Sequence, residues 1–198
     1  MTKFDWLVVG FLVLAFGERA YERKFSKRAM RGENKMEWSY VLLHTSYSVL
    51  FLGVAVEHFW WRHAVCWGAV GAGLGLYVVG LVVRLAAIRA LGKFWSLHLE
   101  IRQDHQLMTE GIYRHMRHPA YLAIMLEVVA VPLVANAYGM LVVAMGGYVT
   151  LILLRWRREE QEMIAKFGEQ YIRYRLEVPA FVPWRSILPG RARGTSTG

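Results

Sequence analysis

The sequence predicts an all-α integral membrane protein with about five transmembrane helices, the last two forming a helical hairpin. Of its 198 residues, 56% are hydrophobic, which exceeds the ~45–50% apolar share of a typical soluble domain. The apolar residues fall in runs close to one bilayer thickness. In the resulting topology, 22 of the 24 Lys and Arg residues lie on one side of the membrane, as the positive-inside rule requires. No strand-like alternation bounded by turn residues competes with this interpretation.

The first apolar run, residues 6–17, is short for a membrane helix. It extends to about residue 21 if Glu18 and Arg19 lie at the headgroup boundary. No basic run precedes it and no clear small-residue cleavage site follows it. We therefore interpret it as a retained membrane helix rather than a signal peptide.

The next two runs have the length of a membrane span. Residues 38–61 have tryptophans at both ends, where interfacial aromatics are common. Residues 64–83 carry no charge, and Arg84 and Arg89 follow them as a cytoplasmic stop. The second run also contains three polar residues. Glu57 and His58, near its outer end, are expected to snorkel or to cap. His44, near its inner end, either packs against another helix or faces a ligand cavity.

The apolar stretch 120–154 contains one formal charge, Glu127, and is interrupted at Pro132 and at residues 136–139. Two helices joined by a tight turn fit this pattern better than one helix. A long polar connector, residues 92–118, precedes the hairpin, and connectors of this length in compact bundles are usually functional. The predicted organisation is three membrane helices in 1–89, a site region in 90–184 and a flexible tail in 185–198.

The composition also excludes several classes of function. The net charge of +9 is explained by topology, with the N-terminus outside and the connector and C-terminus in the cytoplasm, which disfavours nucleic-acid binding. The single cysteine, Cys66, excludes a disulfide framework and a Cys-based zinc site. Seven histidines show no set of three at ligand spacing, so we expect no metal.

A glycine-rich pattern at residues 71–75 is similar to a nucleotide-binding loop, but it lies within an apolar span without a βαβ unit. We predict instead that Gly71 and Gly75 form a face on which helices approach closely.

Polar residues on both sides of the hairpin are predicted to converge. Pro119 suits the first turn of a helix, so Arg117 and His118 would lie where backbone N–H groups are unpaired and attract an anion. Arg155 and Glu159 share one helix face after the hairpin. The alternatives are a headgroup anchor for the first pair and a solvated, salt-bridged helix for the second.

These residues belong to a longer motif. Residues 111–121 read GIYRHMRHPAY, and the hairpin is followed by Arg155, Glu159-Glu160, Phe167-Gly168, Tyr171, Tyr174 and Val178-Pro179. The combination resembles the isoprenylcysteine carboxyl methyltransferase family. Its wider membrane superfamily includes phospholipid N-methyltransferases and thiol methyltransferases. The resemblance covers about residues 90–184, whereas residues 1–89 are similar only in being spans.

The resemblance implies S-adenosylmethionine-dependent methyl transfer at the cytoplasmic face, with S-adenosylhomocysteine as product. It implies catalytic roles for Arg155 and Glu159. The cofactor contacts that it implies are His98, His105, Gln106, Leu107, Met108, Tyr113, Arg117, His118, Pro119, Ala120, Tyr121, Glu159 and Glu160. In this arrangement the cofactor carboxylate would lie at the helix start with His118, its amino group or ribose at Glu159, and its adenine against Leu107, Met108 and Tyr113.

The chain departs from the family at Ile112, where a proline is frequent, and in lacking the extra N-terminal helices of eukaryotic members. The acceptor is therefore expected only to be lipophilic or amphiphilic, with a carboxylate or a thiol that Arg155 can orient. Membrane lipid is the expected surrounding, and no obligate protein partner is evident. The alternatives are an NADPH-dependent membrane reductase of the sterol-reductase type and a non-catalytic membrane scaffold.

Overall fold

The computed structural model describes the backbone of residues 1–26, 33–34, 37–92, 100–101 and 107–183. Nearly all of this is helical, which confirms the all-α class. The helices are α1 (Lys3–Ser26), α2 (Glu37–Trp61), α3 (Trp67–Leu91), α4 (Pro119–Ala135), α5 (Tyr138–Val143), α6 (Val149–Phe167) and α7 (Glu169–Glu177). Two strands of two residues each, β1 (Glu33–Asn34) and β2 (Glu100–Ile101), pair antiparallel. The predicted tail, residues 185–198, lies outside the described residues.

A π-helical segment, Ala144–Tyr148, joins α5 to α6, so Tyr138–Phe167 forms one long helix. Among the described residues, three helices are long and apolar enough to cross a membrane: Val41–Trp61, Trp67–Leu91 and Tyr138–Phe167. Helix α4 is apolar but has 17 residues, and α1 carries charges in its second half. The five predicted spans thus correspond to three full-length spans, one shorter apolar helix and one helix with a charged end.

The predicted hairpin is confirmed, with its turn at Asn136. Helix α4 continues through Pro132 to Ala135, and Asn136 then adopts the left-handed conformation with φ of 55°. Glu57 of α2 accepts hydrogen bonds from the N–H groups of Gly139 and Met140, at 2.8 and 2.7 Å. This carboxylate therefore caps the start of α5, which was one of its predicted roles.

Helices α3 and α4 pack closely at small residues, but not at the predicted ones. A Cβ atom at Gly73 would lie 2.8 Å from the Val134 side chain and 2.9 Å from the carbonyl oxygen of Ala130. At Gly71 and Gly75, nothing lies within 4 Å of such an atom. The prediction of a Gly71–Gly75 contact face is therefore wrong for this chain, because these two residues face outward and Gly73 faces α4.

Charged residues of three helices and a phenol of a fourth meet in the interior of the bundle. Glu127 of α4 has no exposed surface and forms ion pairs with Arg19 of α1 and Arg84 of α3. The hydroxyl of Tyr47, on α2, donates to the same carboxylate at 2.5 Å. Arg84 also pairs with Glu18 at 2.8 Å.

This ionic cluster corrects two sequence predictions. Arg84 is only 3% exposed and lies inside α3, so its assignment as a cytoplasmic stop is wrong. Glu18 and Arg19 form ion pairs within the bundle, and α1 runs on to Ser26 rather than ending at a headgroup boundary. A charge in an apolar interior is tolerated when it is paired. The cluster therefore fixes how α1, α2 and α3 are placed around α4.

The two glycines offer a matched test of the α3–α4 contact. We expect Gly73→Ala to lower stability by about 1–3 kcal/mol, because the new methyl group overlaps the backbone of α4. Gly71→Ala should leave stability unchanged or slightly higher, since it adds helix propensity without a clash. Thermal unfolding of both variants in detergent measures the difference. Equal melting temperatures would contradict the contact.

Candidate active site

The segments that carry the motif come together at one end of the bundle. A short 3-10 turn, Gly111–Arg114, leads into the start of α4. The N–H groups of Arg117 and His118 donate to the carbonyl oxygens of Pro179 and Ala180, each at 2.9 Å. The chain after α7 therefore lies against the chain before α4. The prediction that these two N–H groups are unpaired is wrong, since the C-terminal segment takes them.

Glu160 holds this junction together. Its carboxylate is buried and accepts from Nη1 of Arg117 at 2.6 Å, lies 2.7 Å from Nε2 of His118, and accepts from the hydroxyl of Tyr171 at 2.8 Å. Nε of Arg175 lies 3.3 Å from its second oxygen. One side chain of α6 thus binds the residues before α4 and two residues of α7. Of the predicted cofactor contacts, Arg117 and His118 are thus both bound to a third, Glu160.

Helix α7 packs onto the same end because the chain breaks at Gly168. This glycine has a φ of 52°, a conformation in which other residues are strained, and it separates α6 from α7. Tyr171 and Tyr174 of α7 are buried with Val178, and Leu107 and Phe167 pack against them. The hydroxyl of Tyr174 donates to the carbonyl oxygen of Tyr113 at 2.6 Å, which fixes the turn before α4.

Tyr113 and Glu159 lie on the same side of the bundle, as the sequence predicts. Burial raises the pKa of the Tyr113 phenol well above its usual value, and the nearby Glu159 carboxylate raises it further. The Tyr113 side chain is therefore neutral and half-buried, and it lies near the Glu159 carboxylate. The half-buried residues Leu107 and Met108 precede it in the connector.

The two predicted catalytic residues are joined through a third side chain. Nε of Arg155 donates to the hydroxyl of Tyr121 at 3.0 Å, and that hydroxyl donates to Oε2 of Glu159 at 2.5 Å. Arg155 and Tyr121 are buried, whereas the Glu159 side chain keeps 26% exposure. This end of the bundle thus presents a partly accessible carboxylate and, one hydroxyl away, a buried guanidinium.

Most of the predicted site residues therefore meet. Pro119 and Ala120 begin α4, with Pro119 fully buried. His98, His105 and Gln106 lie outside the described residues. Sequence reasoning gave no role to three residues that hold the site: Tyr171, Tyr174 and Arg175. Both tyrosines belong to the quoted motif, but its spacing does not reveal that they bind Glu160 and the turn at Tyr113.

Comparison with known proteins agrees with this architecture. The family model described as "Isoprenylcysteine carboxyl methyltransferase (ICMT) family" matches residues 73–165. Protein-S-isoprenylcysteine O-methyltransferase B of Arabidopsis thaliana is 28% identical over 176 residues, covering 79% of this chain and 83% of the relative. Methanethiol S-methyltransferase of Mycobacterium tuberculosis is 33% identical over 73 residues, covering 37% of this chain and 29% of the relative.

A solved structure shares the fold. The eukaryotic intramembrane Ras methyltransferase ICMT superposes with a TM-score of 0.57 at 23% identity. The match covers 69% of this chain and 51% of that chain, so the present chain spans about half the length of that enzyme.

A helical bundle with apolar spans and this polar end, together with the named relatives, defines the protein as a membrane methyltransferase. Its region 73–165 is similar to the isoprenylcysteine carboxyl methyltransferase family.

The central role of Glu160 gives a direct prediction. We expect Glu160→Gln to lower stability by about 3–5 kcal/mol, because it leaves the buried Arg117 and its neighbours without a counter-charge. The matched control is Glu110→Gln, which removes an exposed carboxylate from the connector and should change stability by less than about 0.5 kcal/mol. Thermal unfolding in detergent compares the two. Equal melting temperatures would show that Glu160 does not hold the junction.

Proposed function

We propose that this protein transfers a methyl group from S-adenosylmethionine to a carboxylate or thiol of a lipophilic acceptor, at the cytoplasmic face of a membrane. The observation that supports this most is the arrangement of Arg155, Tyr121 and Glu159 beside Tyr113, inside the region that matches the methyltransferase family. The same end of the bundle offers one group suited to a cationic ligand and one suited to an anionic acceptor.

The residues at this end fit S-adenosylmethionine by their chemistry. The Glu159 carboxylate is partly accessible and suits an ammonium group or ribose hydroxyls. Tyr113, Leu107 and Met108 are half-buried and provide an apolar wall for an adenine ring. Ala120 and Tyr121 carry the N–H groups of the first turn of α4, where the helix dipole favours a carboxylate.

His118 and Glu160 take a different role in this proposal. Because Glu160 binds both His118 and Arg117, we assign His118 and Glu160 to holding the walls of the pocket rather than to direct contact with the cofactor. His98, His105 and Gln106 remain proposed contacts by family resemblance.

Bound S-adenosylmethionine would supply a methyl group on a positively charged sulfur for in-line transfer to a deprotonated acceptor, a carboxylate or a thiolate, with S-adenosylhomocysteine as the leaving group. The protein's contribution is positioning, which is worth up to ~7–11 kcal/mol of the barrier when two reactants are held in line. No strong acid or base is required of the side chains, which agrees with a site built from a guanidinium, phenols and a carboxylate.

Arg155 would orient the acceptor. Its guanidinium is always charged and suits a carboxylate or thiolate, whereas an amine acceptor would gain nothing from it. The named relatives support both acceptor types, since one is an isoprenylcysteine O-methyltransferase and another a methanethiol S-methyltransferase. The exposed apolar surfaces of the long helices support entry of the acceptor's lipidic part from the bilayer.

Binding measurements test the proposal against its two alternatives. Purified protein in detergent is titrated calorimetrically with S-adenosylhomocysteine and, separately, with NADPH. Binding of the first alone supports the methyltransferase. Binding of NADPH would indicate the reductase, and binding of neither would indicate a scaffold. Mass spectrometry of lipid extracts incubated with isotopically labelled S-adenosylmethionine then identifies the acceptor.

Two variants on one helix face separate the proposed roles. Glu159→Ala should weaken S-adenosylhomocysteine binding by about tenfold, because a charge-assisted contact is lost. Arg155→Ala should keep that affinity within about threefold but lower turnover by at least about tenfold, because it faces the acceptor. Calorimetry measures the affinity for S-adenosylhomocysteine, and methylation of N-acetyl-S-farnesylcysteine or octanethiol measures the turnover.

The control for this pair is Arg157→Ala, which removes an exposed charge from the same helix. This variant should change neither the affinity for S-adenosylhomocysteine nor the turnover. Unchanged affinity in the Glu159 variant, or full turnover in the Arg155 variant, would count against the assigned role.

A further inference from the structure

We propose that Tyr121 is a positioning residue whose hydroxyl sets the cofactor-side carboxylate and the acceptor-side guanidinium in one fixed relation. This inference rests on the proposed function, and it assigns to Tyr121 a role beyond lining the cofactor pocket. The observation behind it is that a single phenolic oxygen contacts both Arg155 and Glu159.

The direction of the two hydrogen bonds is determined by the groups involved. A guanidinium can only donate, so the Tyr121 oxygen accepts from Nε of Arg155 at 3.0 Å. The single phenolic proton is then available to Glu159, whose Oε2 lies at 2.5 Å. The hydroxyl thus accepts from the cation and donates to the anion. A guanidinium could not accept the first hydrogen bond, and a carboxylate could not donate the second, so only a group such as a hydroxyl can make both contacts.

The phenol also affects how the two charges interact with each other. Arg155 and Glu159 are four residues apart on α6, a spacing at which a guanidinium and a carboxylate pair directly. A direct pair would direct both groups toward each other rather than toward ligands. In this structure both groups instead contact the same hydroxyl oxygen of Tyr121, which lies between them.

Tyr121 itself is held in place by its helix. It lies in the first turn of α4, its side chain is 9% exposed, and its ring lies 5.8 Å from the ring of His118, which Glu160 fixes. Two turns of helix further along, Glu127 ties α4 to three other helices. The two side chains from α6 therefore contact a residue of the helix that Glu127 joins to three other helices.

The test is a pair of double-mutant cycles built on Tyr121→Phe, which keeps the ring and removes the hydroxyl. Alone, this variant should raise the dissociation constant for S-adenosylhomocysteine and lower kcat for N-acetyl-S-farnesylcysteine or octanethiol, each by about tenfold. In a Glu159→Gln background it should have no further effect on the dissociation constant. In an Arg155→Gln background it should have no further effect on kcat.

A residue that only supports the fold would give additive effects in both cycles, and that result would overturn the inference. Unchanged binding and turnover in Tyr121→Phe would also overturn it. Tyr121→Met, which fills the space without a hydroxyl, replaces the phenylalanine variant if that variant does not fold.

The matched control is Tyr148→Phe. Tyr148 is also a buried phenol of the bundle, but its hydroxyl donates to the carbonyl oxygen of Leu43 at 3.2 Å. It should leave both constants within about twofold of the unmodified protein. Failure of the unmodified protein to bind S-adenosylhomocysteine would instead overturn the proposed function, and this inference with it.

Discussion

The geometry of the site depends on one buried carboxylate, Glu160. It lies on α6, yet its partners come from the segment before α4 and from α7, about forty residues upstream and eleven or more downstream. A buried carboxylate needs such partners, because an unpaired charge in a protein interior is strongly destabilising. Satisfying Glu160 therefore closes the C-terminal segment over the start of α4. That closure places Tyr113, Tyr121 and Glu159 at the same end of the bundle.

A second buried carboxylate, Glu127, holds the helices of the bundle together, as Glu160 holds the segments of the site together. It brings together a cation from α1, a cation from α3 and a phenol from α2. Helix α4 carries both Glu127 and, in its first turn, Tyr121. Helix α4 thus forms the ion pairs of the bundle through Glu127, and through Tyr121 it contacts Arg155 and Glu159 of α6. Helix α4 therefore takes part both in the packing of the bundle and in the candidate site.

Much of the fold could be predicted, because apolar runs, interrupting residues and the distribution of basic residues all reflect local or one-dimensional constraints. The hairpin turn at Asn136 follows from such signals. The sequence leaves the role of Glu57 open, because the first N–H group that it caps lies 82 residues further along the chain. The wrong predictions concern which face of a helix packs against a neighbouring helix. Glycines at 71, 73 and 75 share one apolar run, and only the position of α4 decides that Gly73 is the one in contact. The sequence places Arg84 at the membrane boundary, because it does not reveal the partners of Arg84 on α1 and α4, which are distant along the chain.

The sequence by itself determined the helical class, the hairpin and the motif that is similar to a methyltransferase family, since these depend on composition, periodicity and residue spacing. Only the tertiary structure decided which residues of that motif bind one another and which stay accessible. His118 and Glu160 bind each other, whereas Glu159, their neighbour in the motif, stays partly accessible. The reason is physical: consecutive residues on a helix point about 100° apart, so each partner depends on the element packed at that angle.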